Sequence, residues 1–280
     1  MKNLVLSICT LLFFLTSCQK EESFQESGGG NGGNGGVGGV PQTGTLLTRT
    51  VAVDGSDSTA TTFNYDGSKR ITFIKAGEYS MFNDNIDLRF IRSSGGSVQK
   101  VRFIQGTDSL EFSLNYNASS KQYISRIGVT EINGNTVKDS TAFVYDAGGK
   151  IVREDNYISN GPANIQIGKT EYTYDGNGNV KKVRVYSIGA TAQLMPISEL
   201  NFEYDSKVSP LKLGVEGIIS GFFFYSSPNN ITKLNIVDIE DPLGNDSMTI
   251  TYTYNSENKP LKANVTLQST GDVLETRYYY

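Results

Sequence analysis

One pattern constrains this chain more than any other: an alternating run of aromatic and polar residues that ends on Tyr and passes into a short polar turn. It reads "FNYDGSKRI" from Phe63, "LNYNASSKQYI" from Leu114, "FVYDAGGKIV" from Phe143 and "YTYDGNGNVKKV" from Tyr172. It returns as "FEYDSKVSPLKL" from Phe202, "FFYSSPNNITKL" from Phe223 and "YTYNSENKPLKA" from Tyr252. The aligned tyrosines are Tyr65, Tyr116, Tyr145, Tyr174, Tyr204, Tyr225 and Tyr254, several of them 29 or 30 residues from the next. The wide step from Tyr65 to Tyr116 leaves room for a degenerate unit, which "LRFIRSSGGSVQKVRF" from Leu88 fills. One tight turn between two alternating runs, repeated at this period, predicts β-hairpins joined by loops.

The Tyr-Asp pair has a local reason. Asp and Asn side chains accept hydrogen bonds from the backbone two residues on, and the Gly or Asn that follows tolerates positive φ. The Tyr is then the last inward residue of its strand, with its ring packed and its hydroxyl near a wet partner.

Phe63, Tyr65, Phe143, Tyr145, Tyr172, Tyr174, Phe202, Tyr204, Tyr252 and Tyr254 share one face, while Asn64, Glu171, Thr173, Glu203 and Thr253 share the other. A sheet apolar on one side must cover that side. No run holds a helical period for more than a turn or two, so more sheet must do it. The expected fold is all-β: a single antiparallel meander of about 15 strands, with aromatics inside. It would be rolled into a coiled sheet, a half-barrel or two packed layers. The strands read shorter than the 9–11 residues of a membrane-spanning strand.

The spacing resembles the Tyr-Asp repeats of Rhs-type and toxin-complex shells, most closely at "YDGNGNV" from Tyr174. That resemblance implies hairpins winding into a spiral sheet. Ser226, Asn117 and Asn255 depart from the Asp of the motif, and the chain is short for a full shell.

The N-terminus supplies an address. Met1-Lys2-Asn3 is followed by an apolar run to Leu15 and then "LTSCQ", the layout of a secretory signal. Leu15-Thr16-Ser17-Cys18 resembles the bacterial lipobox, which implies that residues 1–17 are removed and that Cys18 is acylated and held in a lipid bilayer. Two or more acyl chains anchor stably. Gln19-Lys20-Glu21-Glu22 resembles the export signal of surface-displayed lipoproteins, which implies an outer-membrane anchor facing the cell exterior. Cys9 falls within the signal, so the processed chain has no partner thiol for Cys18. Residues 27–44, "SGGGNGGNGGVGGVPQTG", hold too little apolar surface to form a core. Residues 18–45 therefore read as a lipidated Cys and a flexible tether, reaching roughly 30 Å. Residues 46–280 read as the β domain.

Composition excludes some chemistry. The chain has no His, which removes His-activated nucleophiles and the commonest transition-metal ligand. No catalytic residue, metal site or cofactor is predicted. Asp175-Gly176-Asn177-Gly178-Asn179 has calcium-loop spacing, but Val180 and Tyr186 occupy the positions that need Gly and Glu. The net charge of −4, from 25 basic and 29 acidic residues interspersed, argues against nucleic acid.

"GIISGFFFYSSP" from Gly217 breaks the alternation. It reads as a central strand covered on both faces, or as an exposed patch in which Phe222, Phe224 and Tyr225 contact a ligand or partner. The sequence therefore points to a non-enzymatic, surface-anchored binding or scaffold lipoprotein, taking a glycan, a peptide or a partner protein. A polysaccharide hydrolase would need paired carboxylates, for which Glu154/Asp155 and Glu240/Asp241 are the candidates. An outer-membrane β-barrel is the third reading, since Tyr278-Tyr279-Tyr280 resembles the aromatic end of barrel-assembly signals.

Overall fold

The computed structural model describes residue 42 and residues 44–76, 86–132, 135–159 and 163–280. Cys18 and most of the tether lie outside the described residues. The first strands are β1 (Arg49–Asp54), β2 (Asp57–Tyr65), β3 (Ile71–Lys75), β4 (Ile86–Arg92) and β5 (Val98–Gln105). Next come β6 (Asp108–Asn117), β7 (Gln122–Ile132), β8 (Asn135–Tyr145), β9 (Ile151–Ser159) and β10 (Asn164–Tyr174). The last are β11 (Val180–Ile188), β12 (Leu194–Val208), β13 (Asn229–Asp238), β14 (Asp246–Tyr254), β15 (Pro260–Leu267) and β16 (Val273–Tyr279). A short helix, α1 (Val215–Ile219), and a 3-10 turn at Phe223–Tyr225 lie between β12 and β13.

Every strand pairs antiparallel with its sequence neighbours, and β1 pairs with β16, so the sheet closes. The all-β meander expected from the repeat is present, but as a sixteen-stranded closed barrel rather than a coiled sheet, half-barrel or two layers. Closure follows from the ends of the repeat. The C-terminal "ETRYYY" is the first half of a hairpin and Leu47 to Asp54 supply the second, with Thr48 N–H donating to the Tyr279 carbonyl at 2.9 Å. The strands are also longer than they read: β7, β8 and β10 have 11 residues each.

The Asx turns are as expected, but the left-handed position is a Lys rather than Gly or Asn in two of them, Lys69 at φ 61° and Lys121 at φ 56°. Asp175 Oδ1 accepts from the N–H of Asn177 and Asn179, both at 2.9 Å, and Asn255 does the same for Glu257 and Lys259. The left-handed residue is Gly178 in one turn and Asn258 in the other, at φ 88° and 59°. A bulge sits just before the aligned Tyr at Tyr65, Tyr116, Tyr145, Tyr174, Tyr204 and Tyr254.

The hydroxyls do more than reach water. Tyr174 donates to the Ile151 carbonyl at 2.6 Å, Tyr145 to Tyr123 at 2.9 Å, Tyr204 to Val180 at 2.7 Å and Tyr280 to Pro260 at 3.0 Å. Each acceptor is the first residue of the return strand in the preceding hairpin, or its bulge partner. The repeated Tyr is therefore a staple between consecutive hairpins. It satisfies a carbonyl that the bulge removes from the ladder.

Inside, the aromatics and aliphatics form one core running from Leu47 and Phe63 around to Leu234 and Ile236. Outside, ion pairs run along the wall among exposed apolar side chains such as Ile124, Val129 and Leu261, and Ile165 and Met195 are exposed at its rim. Glu111 pairs with Lys100 and Arg102 at 2.6 and 2.7 Å, and Glu199 with Lys182 and Arg184 at 2.7 and 2.6 Å. Glu275 pairs with Lys262 and Arg277, and Glu171 with Lys169. Glu171 and Glu203 face outward, as the alternation requires.

Candidate functional site

Barrels of sixteen strands are wide enough to leave a channel. Here residues 209–228 fill the space. The aligned Tyr204 is bonded across the sheet to Ile231, whereas Tyr174 is bonded to Val180, six residues on. The tight turn of this hairpin has thus been expanded into a plug, and the unit aligned on Tyr225 is not a hairpin. Neither sequence reading of this stretch holds. It is not a strand, and its aromatics are not an exposed patch.

The sequence makes the plug locally. Pro210 and Pro228 flank it, and the Ser209 N–H donates to the Pro228 carbonyl at 2.8 Å to close the neck. Gly214 and Gly221, at φ 58° and 80°, reverse the chain around α1. Phe222, 6% exposed, stacks on Phe103 of β5 with centroids 5.7 Å apart. Phe224, half-buried, packs edge-on against Phe202 at 5.8 Å and stacks on Phe223 at 4.4 Å. Tyr225 is half-buried, its carbonyl accepting from Leu213 N–H at 2.7 Å, and burial pushes its hydroxyl pKa up to about 12. All three are packing residues of the plug.

Two buried arginines hold this segment. Arg92 makes a two-pronged pair with Glu216 of α1, at 2.5 and 2.8 Å, with side chains only 7% and 3% exposed. It also donates to the Ile71 carbonyl at 2.7 Å. Arg92 stands at the Tyr position of the degenerate unit, so it staples like the tyrosines and anchors the plug as well. Burial opposes its charge, but hydrogen bonding and charge from Glu216 outweigh burial and hold the guanidinium above its ordinary pKa. Arg126 of β7 donates to the Ile219 carbonyl at 3.0 Å, at the C-terminal end of α1.

Below Arg126 lies a polar cluster. Thr141 accepts from Arg126 at 3.3 Å and donates to Asn156 Oδ1 at 2.9 Å, while the Tyr172 hydroxyl donates to Glu154 at 2.9 Å. Burial raises the Glu154 pKa, with Arg126 and Tyr172 pulling the other way. Burial likewise raises Asp139, again opposed by Arg126. The carboxylates named from sequence are not paired. Glu154 points inward and its neighbour Asp155 outward to Arg153, while Glu240 and Asp241 sit in an exposed turn. Among the described residues no group of three or more His, Cys, Asp or Glu is placed to hold a metal ion. Sequence reasoning missed Arg92, Arg126 and Glu216. The available signals were an Arg at a Tyr position and a lone Glu in an apolar run.

No protein-family model matches the chain, and no curated protein does. Among solved structures it is similar to a porin-like protein from Bacteroides vulgatus ATCC 8482. That likeness has 11% identity, covers 85% of this chain and 99% of the other, and has a TM-score of 0.50. It is similar also to a porin-like protein from Bacteroides uniformis ATCC 8492, at 11% identity, 85% and 98% coverage and a TM-score of 0.52. These likenesses show a shared barrel fold. The Photorhabdus luminescens Tc holotoxin pore matches at a TM-score of 0.28 over 10% of its chain, too low to carry an argument.

Proposed function

We propose that this chain is a non-enzymatic binding or scaffold lipoprotein whose plugged barrel stands in water, held to the outer membrane by acylated Cys18 and its Gly-rich tether. The observation that carries this reading is the outer wall. A barrel in lipid presents an apolar band about 25 Å tall, and each Arg or Lys on its lipid face costs about 2–4 kcal/mol at the midplane. Lys100, Arg102, Lys182, Arg184, Lys262 and Arg277 all lie on strands and all pair with outward carboxylates. Hydrogen bonds from Lys182, Arg184 and Asn201, with the charge of Lys182, outweigh burial and hold the Glu199 carboxyl down to about 2.

The outer-membrane barrel reading shares the closed fold, and strands of 11 residues are long enough for it. The charged wall opposes it, and the plug opposes a channel. The anchor rests on the resemblance at residues 15–18 and is a separate part of the proposal.

Residues 42–280 contain the whole closed barrel, and purification of that segment without detergent tests the wall. A monodisperse, folded product is expected; aggregation reversed by detergent refutes the reading. Surface labelling of intact cells tests the anchor. Cys18→Ala should release the protein from the membrane fraction, and retention would refute the lipidated Cys.

A further inference from the structure

The two ends of the barrel differ in charge. Strand direction alternates around the sheet, so the turns that follow the aligned tyrosines and Arg92 all lie at one end, with the plug, and the other turns lie at the far end. The far-end turns at 54–57, 105–108, 238–246 and 267–273 carry acids, among them Asp54, Asp57, Asp108, Glu240, Asp241 and Asp272. Among the described residues, no far-end turn carries a Lys or Arg.

The plug end carries Lys69, Lys121, Lys150, Lys207, Lys212 and Lys259. Carboxylates occur there too, but the turns absorb them. Asp66 takes the Arg70 guanidinium at 2.8 Å, and Asp146 and Asp175 accept turn N–H groups at 2.9 Å. Asp205 accepts from Tyr254 and Asn230, and Glu257 pairs with Lys259. Among the described residues Lys69, Lys121, Lys150 and Lys212 enter no ion pair, whereas Lys100, Lys182 and Lys262 of the wall all do. Lys69 stands at the left-handed position that Gly149 and Gly178 fill in sister turns, and Lys121 is left-handed in its own. A β-carbon is disfavoured there, so turn geometry is not what places lysine at either position.

The tether is rooted at this same end. Gln42 N–H donates to the Lys69 carbonyl at 2.9 Å. Its side chain donates to the Lys212 carbonyl at 2.7 Å and accepts from the Lys212 N–H at 3.2 Å. The reach read from the sequence, roughly 30 Å, therefore draws the plug end toward any bilayer that holds Cys18.

We infer that the plug end docks on the anionic headgroups of that bilayer, its turn lysines against lipid phosphates and the acidic end turned away. A lysine ammonium is a compact point charge on a flexible stem, suited to a surface of mobile phosphates. Its attraction to anionic lipid fades within a Debye length, about 8 Å at physiological salt, so the tether must bring the face close. An acyl anchor and a basic face then act as two signals on one membrane.

The inference rests on the lipid anchor, and the acylated full-length product on phosphatidylglycerol or phosphatidylcholine vesicles tests both. Failure to float with either vesicle refutes the anchor, and the docking with it. On floated protein, amine acetylation is followed at each lysine by mass spectrometry. Lys69, Lys121, Lys150 and Lys212 should react about fivefold more slowly on phosphatidylglycerol than on phosphatidylcholine. Lys75 and Lys138, in the far half of the barrel, should not change, and added salt should abolish the difference. Changing Lys69, Lys121, Lys150 and Lys212 together to Gln should abolish the slowing at Lys207 and Lys259. If that variant folds poorly, the salt series on the unaltered protein carries the test. Flotation with equal reactivity on the two lipids, slowing shared by Lys75 and Lys138, or slowing indifferent to salt would each overturn the docking while leaving the anchor intact.

Discussion

Replacing Glu216 by Ala is the sharpest probe of the plug. It removes both prongs of the pair and leaves the Arg92 guanidinium 7% exposed, still bound to the Ile71 and Gly96 carbonyls but with no counter-charge on α1. Its Nε already lacks a hydrogen-bond partner. Truncating one member of a buried pair costs about 3–5 kcal/mol, because the remaining charge stays desolvated. At roughly 2–4 °C per kcal/mol for a domain of this size, the midpoint should fall by about 6–20 °C. Urea unfolding should show a lower midpoint with an unchanged slope.

The same physics predicts a rescue. Arg92→Tyr with Glu216→Leu restores the repeat's own residue at position 92 and removes both buried charges. The double variant should recover most of the loss, since buried pairs replaced by apolar groups are often neutral. Single variants each costing under about 1 kcal/mol, or a double variant as unstable as the two losses added, would refute the clamp. Hydrogen exchange at residues 218–221 separates release of the plug from global unfolding.

Three further outcomes are expected. Tyr174→Phe strands the Ile151 carbonyl and should cost about 1 kcal/mol in urea unfolding. Tyr204→Phe should cost more, because that hydroxyl also accepts from Ser227, whose oxygen takes the Val180 N–H; equal losses would contradict this. Glu154 has a raised native pKa, so its contribution is complete below the ordinary value of 4.5 and is lost as pH rises through the native value. Glu154→Gln should therefore flatten the decline of stability above pH 4.5, and an unchanged pH profile would reject the assignment. At Gly168 a Cβ would stand 2.9 Å from the backbone oxygen of Tyr186, so Gly168→Ala should destabilise by about 1–3 kcal/mol. At Gly128 the close neighbour is the Phe112 side chain rather than backbone, so Gly128→Ala should cost less in thermal unfolding.

Much of the barrel was legible in the residues. The Tyr-Asp turns, the inward aromatics and outward Glu171 and Glu203 are local consequences of side-chain chemistry and of the two-residue period of a strand. Closure was not read from the residues, because Arg49 and Thr50 at one end and Tyr278 and Tyr279 at the other share no motif and meet only in the folded sheet. The candidate site was misread for the opposite reason. Phe222 to Tyr225 are aromatic whether they line a strand, a surface or a plug, and only the long-range partners Phe103, Phe202 and Arg92 distinguish these.

What the sequence determined alone was everything set within one hairpin, because turn geometry and alternation act over a few residues. The tertiary structure decided the rest. Whether the ends meet, where the expanded turn goes and which carbonyl each Tyr hydroxyl takes all depend on groups far apart in the chain. Their juxtaposition exists only once the sheet has closed.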